Sequence, residues 1–397
     1  MKDRHIRRQA QLLALLSHRR VGARGIRDHW RRRCQEASVG LLWEEACSLP
    51  VQLSMGGGGF DLREIYREAE EEIRACVKMG IRMVSLFDAS YPVTLREIYD
   101  PPPILFYKGD LIERMVRDQS QNCKEGLREQ MTSPSSLRTA RAIAIVGSRN
   151  STTYGRKVAE TLARELSALG ICVVSGLAEG IDTWAHRGAK DQKGGTIAVL
   201  GNGMDIYYPR RNRLLQEELC QKGTVLSEYR LTTPPLRHNF PARNRIISGL
   251  ANGVVVVEAS QDSGALITAD FALEEGKSVF AIPGNIYHRN TRGTHALLKD
   301  GARLVERVED ILEELYPDLL SQKGRTISNG LFSEMEILAS LSEEERLLYL
   351  QLDQEPQHID DLSRMVDMEV NKALGILLQL EIKGFIIQEP AMNFVRA

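Results

Sequence analysis

The chain has 397 residues, enough for two or three domains at ~150 residues each and too many for one small binding module. Hydrophobic residues make up 43% and charged residues 26%, ordinary values for a globular protein, and 52 Lys+Arg against 53 Asp+Glu leave a net charge of −1. On that total nothing points to a nucleic-acid partner.

Cut into pieces, the charge is uneven. Residues 1–50 hold 11 Lys+Arg against 5 Asp+Glu, a net +6, whereas residues 331–397 hold 5 against 13, a net −8. The stretch between them is +1. Such asymmetry fits separate modules with different partners, and it equally fits solvated faces of opposite sign. The six cysteines (Cys34, Cys47, Cys76, Cys123, Cys172, Cys220) form no CxxC or CxxH pair, which predicts reduced thiols in a cytoplasmic protein and no metal site. The apolar run Leu12–Leu16 is too short for a signal peptide, and no stretch approaches the ~20 apolar residues of a membrane span.

In chain order, residues 1–55 read as short helices over His5–Ser17, Ile26–Cys34 and Val39–Cys47, closed by the flexible run Gly56–Gly59. A charged helix is predicted over Asp61–Met79, then strands over Arg82–Phe87 and, behind Pro101-Pro102-Pro103, over Ile104–Tyr107. Residues 110–139 are polar and aperiodic, an irregular insertion. From Arg141 the character changes. Apolar runs at Ala142–Val146, Ile171–Val174, Thr196–Leu200, Thr224–Leu226, Val254–Val257 and Ser278–Ile282 alternate with helix-length segments such as Gly155–Leu169. That alternation predicts a parallel sheet buried on both faces, hence an α/β, Rossmann-like doubly wound fold. Past a polar linker, Ser342–Arg396 reads as helices followed by short strands at Phe385–Ile387 and Phe394–Val395, the pattern of a winged helix. The expected modules are 1–55, 60–315 (lead-in 60–109, insertion 110–139, core 141–315) and 331–397.

In a doubly wound sheet the ligand sits beyond the carboxyl ends of the strands, so the loops after each apolar run carry the functional expectation. The first loop, Gly147-Ser148-Arg149, offers small residues ahead of a helix and a guanidinium fork for phosphate. It lacks a GxGxxG dinucleotide fingerprint and a Walker Gly-Lys-Ser/Thr, so phosphate binding without a nucleotide cofactor is the better reading. The second loop starts at Ser175-Gly176 and leads to Asp182, a candidate helix cap, and to Trp184 and His186; a core or hydrogen-bonded His186 is preferred to a catalytic base. The third, Gly201–Pro209, is a turn cluster followed by Arg210, Arg211 and Arg213, with ligand contact left open.

The fourth loop is the most informative. Arg237, His238, Arg243 and Arg245 surround Phe240, with Asn244 among them, and cations beside one aromatic suit phosphates flanking an unpaired base. A fifth, after the last very apolar strand before it, presents Ser263 and Gly264 at a helix start.

Taken together, VGSR at 146–149, SGLAEGID at 175–182, TIAVLGNGMDIYYP at 196–209, LSEY at 226–229, FPARNRIISGL at 240–250, VVVEASQDSGALITADFA at 255–272 and VFAIPG at 279–284 resemble the bacterial DNA-processing protein A (DprA/Smf) family. YPVTL at 91–95 and DPPPILFYKG at 100–109 resemble its lead-in, and LSEEERLLYLQL, HIDDLSRMV and LGILLQLEIKGFI resemble its winged-helix module. The resemblance implies a non-catalytic, cofactor-free protein that binds single-stranded DNA, dimerises through its Rossmann-like domain and helps load RecA on incoming DNA during natural transformation. By position it assigns the pocket to Gly147, Ser148, Arg149, Arg237, Phe240, Arg243 and Asn244.

Three departures accompany it. Gly293-Thr294-His295 stands where the family has Gly-Thr-Asn, so no role of that Asn passes to His295. The 110–139 insertion is long for the family. The N-terminal segment resembles the family's SAM-like or helix-hairpin-helix extension only loosely, with Val21–Gly25 as a degenerate hairpin. The winged helix, with its net −8, is expected to contact protein rather than a phosphate backbone. A competing reading is a nucleoside-monophosphate glycosidase of the lysine-decarboxylase-like Rossmann group, whose PGGxGTxxE signature is missing from Ala259–Ala265.

Overall fold

The computed structural model describes residues 62–110, 141–320 and 341–396, apart from 353–355, 383–384 and 391. The expected N-terminal helices, the Gly56–Gly59 linker, nearly all of the insertion and residues 321–340 lie outside the described residues. The chain divides into two compact units, one ending at Pro317 and one beginning at Asp318.

In the first unit α1 (Leu62–Lys78) is followed by β1 (Arg82–Ser85), the short α2 (Val93–Arg96) and β2 (Ile104–Gly109). Strands and helices then alternate: β3 (Ala142–Val146), α3 (Thr153–Ala168), β4 (Cys172–Ser175), α4 (Ile181–Ala189), β5 (Thr196–Leu200), α5 (Arg213–Lys222), β6 (Thr224–Ser227), α6 (Asn239–Leu250), β7 (Gly253–Val256), α7 (Gly264–Glu274), β8 (Ser278–Ala281), α8 (Arg292–Lys299), β9 (Arg303–Leu304) and α9 (Val308–Leu315). The predicted core strands are present to within about one residue at each end.

All nine strands form one sheet in the order β1-β2-β6-β5-β4-β3-β7-β8-β9. From β6 to β9 every pairing is parallel. Helices cover both faces there, which is why β3, β4, β5 and β7 are buried at every position and read as apolar runs instead of alternating. The expected parallel core is borne out, and the lead-in adds two antiparallel strands to it. β2 pairs antiparallel with β6 and β1 antiparallel with β2, so the lead-in continues the core sheet. Apolar runs do not encode strand direction, so the sequence left the direction of β1 and β2 open. The α1 positions Ala69, Ile73 and Cys76, spaced four and three apart, are buried against this core. Glu72 ties α1 to the loop after β6 by accepting from Arg230 Nε at 2.6 Å and Leu231 N at 3.0 Å.

The second unit contains α10 (Glu343–Gln351), β10 (Gln357–His358), α11 (Ile359–Met365), α12 (Val370–Ile382), β11 (Ile386–Glu389) and β12 (Asn393–Arg396). Ser342 and Glu345 close a capping box at the start of α10. The wing is a three-stranded sheet, β10-β12-β11, one strand more than expected, because the two residues of β10 are too few to show alternation. Leu348, Leu362, Leu377, Leu380, Ile386 and Phe394 form its core. Among the described residues no helix is long and apolar enough to cross a membrane.

Candidate nucleic-acid interface

The sheet order reverses at β3. The chain proceeds from β3 outward to β6 and then returns to place β7 on the other side of β3. The loops after β3, β4, β5 and β7 therefore meet at one sheet end, with the start of α6 beside them, around a cleft of about 630 Å³ that merges with a neighbour of about 530 Å³. Arg149, Ala178, Tyr208, Pro235, Phe240 and Arg243 line both.

The loop after β3 is held from below. Ser148 N donates to Glu258 O at 2.7 Å, and Ile181 N donates to Ser148 O at 3.2 Å. A Cβ on Gly147 would lie 2.6 Å from Ile181 Cγ1, and one on Gly180, whose φ is +82°, would meet the Ser148 and Arg149 carbonyls. The expectation that the amides at the start of the following helix face an anion is corrected here. The buried Glu258 carboxylate accepts from Thr152 N at 3.0 Å and from the Thr152 hydroxyl, and that hydroxyl accepts from Gly155 N at 3.0 Å. The start of α3 is thus occupied by the protein's own carboxylate, and the cation above it, Arg149, is what remains for a ligand.

Phe240, half-buried in the first turn of α6, stands over Gly201, where a Cβ would approach its ring to 2.9 Å. The Tyr208 ring centroid is 5.3 Å from that of Phe240, at an interplanar angle of 38°. The exposed Arg149 guanidinium lies 5.4 Å from the Phe240 centroid and the Arg243 guanidinium 5.9 Å, both at cation–π range. Among the described residues no carboxylate pairs with Arg149 or Arg237 at salt-bridge distance.

Arg243 differs from Arg149 in kind. It is buried, and its Nη1 donates to Gly176 O at 2.7 Å and to Val199 O, while its Nε donates to Asn244 Oδ1 at 3.1 Å. A Cβ on Gly176 would lie 2.7 Å from that guanidinium. Burial pulls the Arg243 pKa down to about 10, opposed by Asp182 and reinforced by Arg149, so it stays charged at neutral pH. Asn244 in turn donates to Gly264 O at 3.1 Å, joining α6 to α7. Arg243 and Asn244 brace the cleft from within and add positive potential to it.

The structure brings Gly147, Ser148, Arg149, Gly176, Arg237, Phe240, Arg243, Asn244, Ser263 and Gly264 to the cleft wall. Ser263 also caps α7, accepting from Ala265 N at 3.3 Å. Two expected residues are elsewhere. Ser175 is fully buried and its hydroxyl donates to Ile145 O at 2.6 Å. Arg245 lies on another face of α6, between Glu228 and Asp100. Burial lowers its pKa, but the two carboxylates more than offset this and hold it raised.

Asp182 is also reassigned: it accepts from Gly176 N at 3.1 Å and Ala178 N at 3.4 Å, shaping its loop instead of capping its helix. Burial raises its pKa, against the pull of Arg243 and those amides. His186 is fully buried, with Nδ1 2.7 Å from the Thr196 hydroxyl, which itself donates to Val173 O at 2.7 Å. Nδ1 therefore carries the proton. Burial first, then Arg243, depress its pKa to about 3, so it is a neutral core histidine, as the sequence favoured over a base. The cleft residues missed from sequence are Tyr207, Tyr208 and Arg210, in the turn cluster whose ligand contact was left open; their position after a core strand was the available signal.

Comparison with known proteins identifies the chain's relatives. The sequence profile described as DNA recombination-mediator protein A matches residues 132–316, and the DprA winged helix domain profile matches 334–392. The DNA processing protein DprA of Bacillus subtilis is 38% identical over 255 residues, which cover 64% of this chain and 78% of that protein. The protein Smf of Synechocystis is 33% identical over 332 residues, 78% of each chain. The crystal structure of DNA processing protein A from Streptococcus pneumoniae superposes with a TM-score of 0.53 at 34% identity, covering 79% of this chain and 97% of that one. The chain belongs to the DNA-processing protein A (DprA/Smf) family.

Proposed function

We propose that the cleft binds single-stranded DNA. Arg149 and Arg237 would hold successive phosphates, and a base would stack on Phe240 beside Tyr208. The observation that carries this reading is the exposed Arg149 guanidinium set 5.4 Å from an accessible Phe240 ring, over a helix start already filled by Glu258. An aromatic face can take a base only where that base is unstacked, which favours single strands over duplex. On this reading the protein protects incoming DNA and helps RecA assemble on it during transformation or recombination, in the cytoplasm, as a homodimer formed through the Rossmann-like domain.

A binding role without catalysis is favoured by the engagement of the strand-end carboxylates. Asp182, on the cleft wall, and Glu258 both accept from backbone amides, His186 is buried and neutral, and Glu179 at the cleft edge lies 3.9 Å from Arg211, so none of the four is set up as a general base. The organisation we infer has three modules, at 1–55, 60–315 and 331–397, of which the acidic last one contacts protein. In α12 the cation Lys372 pairs with Glu344 at 2.7 Å, which withdraws positive charge from the helix that would otherwise enter a groove.

The deciding experiment is a gel shift at one stated salt concentration with single- and double-stranded DNA, using the parent and the Arg149→Ala/Arg237→Ala variant. Preference for the single strand, lost in the variant, is expected. Equal affinity for both forms, or an unaffected variant, would overturn the assignment. RecA assembly on single strands, with and without the protein, tests the loading step.

A further inference from the structure

A second depression, of about 380 Å³, shares Arg149 and Glu179 with the cleft and contains neither Phe240 nor Arg243. Its wall holds Arg156, Arg187 and Arg211, all exposed, and the half-buried Trp184. Four arginines with a single carboxylate repel one another, and folding gains nothing evident from gathering them. The only carboxylate paired there among the described residues, Glu179, is 3.9 Å from Arg211 with both side chains well exposed, a weak interaction.

The remaining arginines are oriented, which a merely solvated set would not require. Arg156 Nε donates to the buried Ser151 hydroxyl at 3.2 Å, at the loop that carries Arg149. The Arg187 guanidinium lies 4.7 Å from the Trp184 ring centroid. An indole with a guanidinium over it is a planar, cationic platform, the same pairing of aromatic and arginine that Arg149 and Phe240 make.

Resting on the single-strand reading of the main cleft, we propose that this depression is a second nucleotide subsite on the same DNA strand. The backbone passes from Arg149 to Arg156, Arg187 and Arg211, and a base stacks on the Trp184–Arg187 platform. Arg149, common to both depressions, is the phosphate contact that joins the two subsites. A free mononucleotide fits the arrangement less well, because the cations are spread around the wall and not gathered on one phosphate.

The chain has three tryptophans, Trp30, Trp43 and Trp184, so a full-length Trp30→Phe/Trp43→Phe protein reports on Trp184 alone. Its emission and its affinity would be measured with thymidine oligomers of about 5 and about 15 nucleotides, lengths bracketing a short and a long single-strand site. The longer strand should quench Trp184. In the same background Arg156→Ala/Arg187→Ala should weaken the longer strand about ten-fold and lower its salt slope by ~1.4, at ~0.7 per phosphate contact. The shorter strand should be held as before.

Unmoved Trp184 emission, or a loss of affinity that falls equally on both lengths, would overturn the subsite while the main cleft stands. Binding of neither strand, or binding indifferent to Phe240→Ala, would instead overturn the reading of the main cleft, and this proposal with it.

Discussion

Arg245 and Glu228 are joined by two hydrogen bonds, from Nη1 at 2.8 Å and Nη2 at 2.6 Å, while Asp100 takes Nε at 3.0 Å. Two residues earlier on the same helix, Arg243 reaches the cleft. Two arginines of one motif thus serve opposite ends: one is held among carboxylates where α6 meets the lead-in, and the other supports the candidate site.

Replacing Arg245 by Ala is expected to leave two partly buried carboxylates without their cation and to cost about 3 kcal/mol of stability. Urea unfolding would show it, and the folded fraction should keep the parent's affinity for single-stranded DNA. A folded, stable variant that binds poorly would return Arg245 to the binding site.

Phe240 and the exposed arginines should separate by salt dependence. Phe240→Ala removes a stacking surface worth about 1–3 kcal/mol per base, weakening binding at every salt concentration without changing the slope. Arg149→Ala/Arg237→Ala should flatten the slope by ~1.4. Titrations by fluorescence anisotropy across several salt concentrations make the comparison; identical slope changes in both variants would contradict the division of labour.

His186 should make the protein sensitive to acid. In the unfolded chain it takes up a proton near its ordinary 6.5, while in the fold its pKa is depressed to about 3. Its contribution is intact above that ordinary value and is lost as pH falls towards the folded one, at up to ~1.4 kcal/mol per pH unit. Denaturant midpoints measured from neutral pH downward should fall more steeply for the parent than for His186→Gln. Parallel curves would mean that the imidazole is not buried in its neutral form.

Deleting residues 331–397 should leave single-strand affinity within a factor of a few, since that segment carries a net −8 and repels phosphate. A large loss in a gel shift would show the winged helix to be a DNA-binding element after all.

The core strands were legible because burial on both faces forces an unbroken apolar run, as in Ala142–Val146 and Val254–Val256. The site was legible to the extent that a doubly wound sheet gathers its strand-end segments: Arg149, Gly176, Phe240 and Ser263 lie far apart in the chain, after different strands, and all reach the merged cleft. The direction of β1 and β2 was not, because the apolar pattern of a strand is the same whichever way it runs.

By itself, then, the sequence determined the family, the parallel α/β core and the loops that line the cleft. Only the tertiary structure decided which of their side chains face the cleft. Glu258 is far from Thr152 in the chain, yet it fills the start of α3; Asp100 and Glu228 claim Arg245; and Tyr208 becomes the neighbour of Phe240. A charged side chain's role depends on which opposite charges and backbone groups packing brings within hydrogen-bond reach, and residue order along the chain does not specify that.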